Sequence, residues 1–300
     1  MSEVDISVIV VGLNTRRLLA NCLRSLSESD WGGYRYEIIY VDNASKDDSV
    51  AMTRREFPEV RVVANETNRH FCPAANQGSK LANGRFLLHL NNDTEVDPDA
   101  IVRMAKFMDA TPRVAVVGCR LLNPDRTDQW AARRFPEWYN AILGRRSVMS
   151  RFAPDSRPVR RYLFKDELAA GVSFRVDWTG TPCLLARRED FFAVHGFPED
   201  FYYWHESVFC FRLSRLGRET WLVPSAQVRH FEGQGGGVRP YAIRRWHIID
   251  FSRGAYRFHC ERYQLSLWSP SRWITAASLS LRAAALLTVL WVRTRMGQTV

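Results

Sequence analysis

Four short stretches of this 300-residue chain hold the side chains best suited to chemistry. Asp42 and Asn43 close the apolar run IIYV. A carboxylate and an amide placed there can bind the N–H groups of a nucleobase or the hydroxyls of a ribose, and can equally make an Asx turn or cap a helix. Asn91, Asn92 and Asp93 follow FLLHL. A hard cation suits that position, since Mg²⁺ typically takes one or two carboxylates and draws its other ligands from substrate phosphates and water. A capped turn suits it too. Glu206 follows the aromatic run Phe201, Tyr202, Tyr203, Trp204, His205, where a helix should begin. The helix dipole favours its ionised form, so it is either a proton acceptor or a surface cap. His230 ends a strand-like run before glycines and reads as a structural histidine or a metal ligand.

The elements that must position these groups are legible as βαβ units. Short β-branched runs at Ile6 to Val11, Tyr36 to Val41, Val60 to Ala64, Phe86 to Leu90 and Val114 to Gly118 predict strands covered on both faces. Helices are expected between them at Thr15 to Leu26, Ser49 to Glu56, Pro73 to Ala82 and Asp99 to Ala110. Ligands of open α/β sheets bind beyond the carboxyl ends of the strands. Those ends carry Asn14, then Asp42 and Asn43, then Asn91 to Asp93, all on one rim. No GxGxxG follows the first strand, which argues against a dinucleotide oxidoreductase.

From about 123 to 177, Pro124, Pro136, Pro154 and Pro158 break the pattern, and arginine pairs recur at 133/134, 145/146 and 160/161; long loops of an insertion are expected. Order resumes with a strand at Cys183 to Ala186 and a helix from Arg188 to His195, stopped by Gly196. A helix from Glu206 to Leu216 stopped by Gly217 follows, then strands at Thr220 to Val223 and Gln227 to Arg229 and a glycine-rich loop, Gly233 to Gly237. The chain thus divides into a domain over 1–240 and a basic, partly apolar helical tail over 241–300. Trp273 to Val292 has one charge, Arg282, in twenty residues. A mid-span arginine costs about 2.5–3.5 kcal/mol on insertion scales, so an in-plane amphipathic anchor fits better than a spanning helix. A helix packed on protein is the alternative.

The net charge of +10 rests on arginine, because Lys46, Lys80, Lys106 and Lys165 are the only lysines. It admits a solvated basic surface or an anionic partner: nucleic acid, a diphosphate, or a cytoplasmic membrane leaflet. The six cysteines form no CxxC pair, which reads as a reducing compartment. The N-terminus shows no secretory pattern, so a cytoplasmic location is expected.

The order and spacing of these stretches resemble the family-2 glycosyltransferases of the GT-A fold, in particular the bacterial rhamnosyltransferase-like branch, over residues 4 to about 235. ISVIVVGLNT is similar to that family's first strand and turn, VDNASKDDS to its nucleotide motif, and NRHFCPAANQG to its NxGFxxAxNxG segment. LHLNNDTE stands where the DxD-type metal motif stands. DWTGTPCLLARRE, GFPEDFYYWHES and VRHFEG resemble the acceptor-side RRE element, the GFDExFFxYxED element and the late His-x-x-Gly. Two positions depart: Asn91 replaces the first acid of the metal motif, and the element Glu206 to Cys210 is one residue short, so Glu206 falls on the first acidic position counted from Gly196 and on the second, catalytic one counted back from Cys210.

The resemblance implies an α/β fold, a mostly parallel Rossmann-like sheet flanked by helices, and an inverting transfer from a nucleoside-diphosphate sugar, with rhamnose the first expectation, to a glycan or lipid-linked acceptor of the cell envelope. It implies that Asn14, Asp42, Asn43, Asn76 and Asn92 bind the nucleotide sugar, and that Asp93 with His230 holds a divalent cation, Mg²⁺ or Mn²⁺. Glu206 would be the general base, and Trp178, Gly180 and Arg187 would border the acceptor. The tail would touch the inner face of the membrane. Two rivals stand beside this reading: a sugar-nucleotide-binding relative weakened by the erosion of the acidic pair, and a basic nucleic-acid-binding protein. The sequence carries no recognition helix, zinc spacing or RNP-type pattern for the second, so no nucleic acid is expected.

Overall fold

The computed structural model describes residues 4–135, 152–233 and 240–296. Its parallel half is centred on β1 (Ile6–Gly12), which pairs with β2 (Tyr36–Asp42) and β4 (Phe86–Asn91), while β2 pairs with β3 (Arg61–Ala64). Side chains alternate along β1. Ile6, Val8 and Val10 join one buried cluster with Leu23 and Met104, and Ile9 joins the opposite cluster with Ala75 and Phe209. Burial on both faces is why these strands read as near-continuous apolar runs, with the buried Ser7 and His89 as exceptions within β1 and β4.

Helices α1 (Arg16–Ser27), α2 (Ser49–Glu56), α3 (Phe71–Leu81) and α4 (Ala100–Ala110) connect or flank these strands. α1 buries Leu19, Cys22, Leu23 and Leu26, and α4 buries Ile101, Met104, Ala105 and Met108. Both sets follow the i, i+3, i+4, i+7 spacing of one helical face.

The other half of the sheet is mixed. β8 (Cys183–Arg187) runs antiparallel to both β4 and β6 (Val114–Leu122), and β9 (Glu219–His230) is parallel to β6. Two short strands, β5 (Thr94–Val96) and β7 (Phe174–Val176), pair antiparallel with β9. The strand order is β3-β2-β1-β4-β8-β6-β9-β5, with β7 beside β9.

Several expectations change. The two pieces expected at 220–223 and 227–229 are one strand, β9, with a register irregularity that absorbs Pro224 to Ala226 opposite Cys119 and Arg120. Such a bulge lets a proline sit in a strand without a ladder bond. The loop-like stretch 123–177 contains α5 (Arg157–Tyr162), α6 (Lys165–Ala170) and β7, held by a small cluster of Val159, Tyr162 and Leu163 under Trp130. Pro136, the 145/146 arginine pair and most of the glycine-rich loop lie outside the described residues.

Helix α7 (Arg188–Ala193) precedes α8 (His205–Arg215), and the tail is two helices, α9 (Tyr241–Tyr263) and α10 (Pro270–Arg295). They pack antiparallel: Arg272 bonds the Tyr256 hydroxyl, His259 lies 3.1 Å from the Ser271 hydroxyl, and the Arg282 guanidinium stands 5.1 Å from the Phe251 ring centroid. α9 is fastened to α8 by an Arg212–Glu261 pair at 2.8 Å and by Trp204, whose indole N–H donates to the Phe251 carbonyl. Gly254 permits that contact, since a Cβ there would lie 2.7 Å from Trp204 Cδ1.

Candidate active site

The carboxyl ends of β1, β2 and β4 are knitted together by their own side chains. Asp42 is buried; its Oδ1 accepts from the Tyr40 hydroxyl at 2.7 Å and its Oδ2 from the Ser45 amide at 2.8 Å. Burial and the neighbouring Asp42 carboxylate push the Tyr40 hydroxyl well above its usual range, so it remains a donor. Asn14, at a positive φ of 53°, latches the loop after β1 to the loop after β2: its amide donates to Ser45 Oγ and its Oδ1 accepts from the Lys46 amide. Asn43 does the same one layer deeper, donating to the His70 carbonyl and accepting from Asn65 and Arg69. Asn92 donates to the Thr15 hydroxyl and packs over Gly12, where a Cβ would fall 2.7 Å from its Nδ2. Glycine at the end of β1 therefore lets the residues after β4 close on those after β1.

Asp93 sits in the turn between β4 and β5. Its backbone carbonyl accepts from the Phe231 amide at 2.8 Å, which fixes it beside the end of β9. There His230 Nε2 faces Asp93 Oδ1 at 3.3 Å. The ring is oriented from behind by Gln129. That amide nitrogen donates to the His230 carbonyl and to Asn123, so its oxygen is the atom 2.8 Å from His230 Nδ1 and must receive that N–H. Nε2 then points at a carboxylate oxygen that is shielded from solvent and accepts no hydrogen bond, so a proton or a cation must lie between the two atoms. Two adjacent Lewis bases, one with no donor of its own, fit a cation shared between them. No group of three or more such ligands occurs among the described residues. An ion held here would take the rest of its shell from a ligand and water.

β8 brings the third element. The Asn91 amide donates to the Pro182 carbonyl at 3.0 Å, placing the 180–182 turn against the end of β4. From that turn the Thr181 hydroxyl donates to Glu206 Oε1 at 3.0 Å, with the Thr181 amide at 3.4 Å from the same oxygen. Glu206 lies in the first turn of α8, its side chain 17% exposed. Burial opposes its charged form, but the His205 charge and bonds from its own backbone and Thr181 hold it below the ordinary carboxylate range. His205 Nε2 is 3.5 Å from Glu206 Oε2. Burial would neutralise that ring, yet Glu206 foremost, with Cys72 and the Tyr202 carbonyl, raises its pKa to about 10. Ser207, the next residue in the turn, is fully buried. Glu206 is therefore the carboxylate of this turn that reaches the rim.

Three expectations need correction. Arg187 is not on this rim. β8 runs antiparallel to β4, so its last residue pairs with Phe86 at the opposite edge. There Arg187 donates to the carbonyls of Met108 and Val114, beside an open cavity of about 350 Å³ that also touches Arg85 and Phe192. Asn76 spends its amide within the protein, donating to the Phe197 carbonyl and to Glu199 and accepting from the Phe197 amide. It clamps α3 to the loop before α8 and presents no free polar atom to a nucleotide. Trp178 is turned inward, its indole donating to the Arg134 carbonyl and its ring packed in the core beside Arg133. Gly180 does lie at the site, next to Thr181.

Sequence reasoning missed Gln129, Thr181 and His205. Adjacency to Glu206 was the available signal for His205; Gln129 and Thr181 had none without the register of β6, β8 and β9.

Residues 7–173 match the family described as glycosyl transferase family 2. The chain is 26% identical over 260 residues to an N-acetylglucosaminyl-diphospho-decaprenol L-rhamnosyltransferase of Mycobacterium tuberculosis, covering 82% of this chain and 81% of that one. Among solved structures, a mannosyltransferase from Pyrobaculum calidifontis in complex with GDP-Man and Mn²⁺ superposes with a TM-score of 0.58 at 20% identity, over 99% of this chain and 83% of that one. GalNAc-T7 with UDP, GalNAc and Mn²⁺ gives a TM-score of 0.62 at 16% identity, over 85% of this chain and 47% of that one.

Proposed function

This chain belongs to glycosyl transferase family 2, and from that premise we propose that it is an inverting glycosyltransferase that moves a sugar, rhamnose first, from a nucleoside diphosphate to a lipid-linked or glycan acceptor of the cell envelope. Its glycosyltransferase character and GT-A-type fold agree with the relatives and solved neighbours. One observation carries the mechanism: the Asn91–Pro182 bond and the Thr181–Glu206 bond tie the Asp93 turn and Glu206 into one contiguous edge of the sheet.

In this reading Asp42, with Asn14, Asn43 and Asn92 shaping the loops around it, receives the nucleoside. Asp93 and His230 would hold a divalent cation, which when bound neutralises charge on the diphosphate leaving group. Glu206 takes the proton of the acceptor hydroxyl as its oxygen bonds to the anomeric carbon and the bond to the diphosphate breaks, so the configuration inverts. Thr181 fixes the plane of that carboxylate, and Gly180 leaves room beside it. Rhamnose and a prenyl-linked acceptor are supported by the mycobacterial relative, an N-acetylglucosaminyl-diphospho-decaprenol L-rhamnosyltransferase; thymidine diphosphate is the first nucleotide to test.

The residues 1–240 would form the catalytic domain and 241–300 a peripheral anchor on the inner membrane face. α10 is long and apolar enough to cross a membrane, but its partner α9 carries Arg244, Arg245, Asp250, Arg253, Arg257, Glu261 and Arg262. A hairpin packed along that length enters the interface rather than the hydrocarbon. The test is transfer from thymidine-diphosphate rhamnose to a prenyl-diphosphate sugar, with product configuration read by NMR. Glu206→Gln should lower kcat by about 10²–10⁴-fold while nucleotide binding persists; full transfer by that variant would sink the base assignment.

A further inference from the structure

The histidine beside the candidate base is held in a way that dictates its protonation. His205 Nδ1 lies 3.0 Å from the Tyr202 carbonyl, which can only accept, so Nδ1 carries a proton. On the other side Nε2 faces two oxygens, Thr181 Oγ1 at 3.4 Å and Glu206 Oε2 at 3.5 Å. The single hydroxyl proton of Thr181 is committed to Glu206 Oε1 at 3.0 Å, so Oγ1 offers Nε2 only lone pairs, as does the carboxylate. A bare Nε2 would face two acceptors at once. Both ring nitrogens are therefore donors.

The surroundings leave that charge one counter-ion. Besides Glu206, the titratable groups that face His205 are Cys72 and His89. Cys72 points its thiol at the Phe201 carbonyl, and burial drives the His89 pKa down to about 3, which keeps that ring neutral. Cys210, which feels the Glu206 charge from the far side, is pushed up to about 12 by burial and stays a thiol. Phe71 and Phe197 pack against the His205 ring at centroid distances of 5.3 and 5.8 Å and keep water from it.

We infer that His205 is a positioning residue for the transfer reaction: its imidazolium, anchored on the Tyr202 carbonyl, grips one oxygen of Glu206 while Thr181 grips the other, fixing the carboxylate in one plane and in its ionised form. The inference rests on Glu206 being the base. Holding the carboxylate ionised lowers its proton affinity, so the proton crosses once bonding to the anomeric carbon has made the acceptor hydroxyl acidic.

Histidine ¹⁵N spectra of the full chain test the pairing without turnover, the His205 signal being assigned by its loss in His205→Gln. The wild-type ring should be doubly protonated at pH 8, and in Glu206→Gln it should turn neutral. Kinetically, His205→Gln should lower kcat by about 10- to 100-fold, leave the donor KM in place and move the acid limb of the kcat profile to higher pH. A nucleotide-dependent thermal shift shows that the variant is folded. A wild-type ring that is neutral at pH 8, or an unmoved acid limb beside an inactive Glu206→Gln, would overturn the inference about His205 alone. Full activity of Glu206→Gln would instead remove the base itself, and the role of His205 with it.

Discussion

Nε2 of His230 and Oδ1 of Asp93 face each other at 3.3 Å, one from the end of β9 and one from the turn after β4. The Phe231–Asp93 backbone bond sets that distance, and Gln129 sets the tautomer. Asp93→Asn should abolish Mn²⁺-dependent stabilisation of the nucleotide complex in a thermal-shift assay and slow transfer on the order of 10²–10³-fold. Gln129→Leu leaves both ligands in place but frees the ring, so Mn²⁺ affinity should fall by about 10–100-fold. Stabilisation by nucleotide that is indifferent to the cation in the wild type would remove the metal role of this pair.

Much of this rim was legible because its strands are buried on both faces. Such a strand is mostly apolar until it leaves the sheet, so Val41 to Asp42 and Leu90 to Asn91 mark ends in the sequence itself, although the buried His89 interrupts the second run. Direction is not marked. Cys183 to Ala186 reads as a strand whichever way it runs, and only its antiparallel pairing with β4 carries Arg187 to the far edge. Gln129 was invisible for another reason: it lies in a proline-broken stretch and matters only through a residue 101 positions away. The tail's apolar helix was evident from composition, whereas its partner α9, amphipathic by neither pattern nor charge, needed the Trp204 and Glu261 contacts to be seen as a hairpin.

Arg187 gives a prediction that separates the two rims. Its guanidinium, 17% exposed, bonds two backbone carbonyls and neighbours Asp190. Removing a charged donor from buried acceptors costs about 1.5–3 kcal/mol, so Arg187→Leu should lower Tm by roughly 4–8 °C. The acceptor KM should not change. A raised acceptor KM with unchanged Tm would return Arg187 to the acceptor side.

The His205–Glu206 pair also fixes a pH dependence of stability. The folded pKa of His205, about 10, lies above the ordinary histidine value. Its contribution is therefore complete below about pH 6.5 and is lost as pH rises through the folded value. Glu206 has a lowered pKa, so its contribution is lost only as pH falls through that value. Between pH 7 and 10 the wild type should lose more Tm than His205→Gln, and the two curves should converge at the alkaline end. Parallel curves across that window would mean the ring carries no charge in the folded protein.

The tail makes the final prediction, because its geometry separates lying on a membrane from crossing one. α10 exposes Trp273, Ile274, Leu281, Val289 and Trp291, while Arg282 turns toward Phe251 of α9. Arg293 and Arg295 close its C-terminal end. An apolar stripe bordered by arginine binds anionic lipid through both area and charge. The full chain should bind vesicles containing phosphatidylglycerol, bind neutral phosphatidylcholine vesicles more weakly, and be released by high salt as the Debye length shrinks. Each arginine near the surface is worth about 1 kcal/mol, so neutralising Arg293 and Arg295 should weaken binding by about 30-fold. A spanning helix would resist both salt and alkaline extraction, since hydrocarbon burial is unscreened. Extraction at high salt therefore supports an in-plane hairpin, which through Arg212–Glu261 and Trp204–Phe251 would hold the first turn of α8, and Glu206 with it, near the membrane surface.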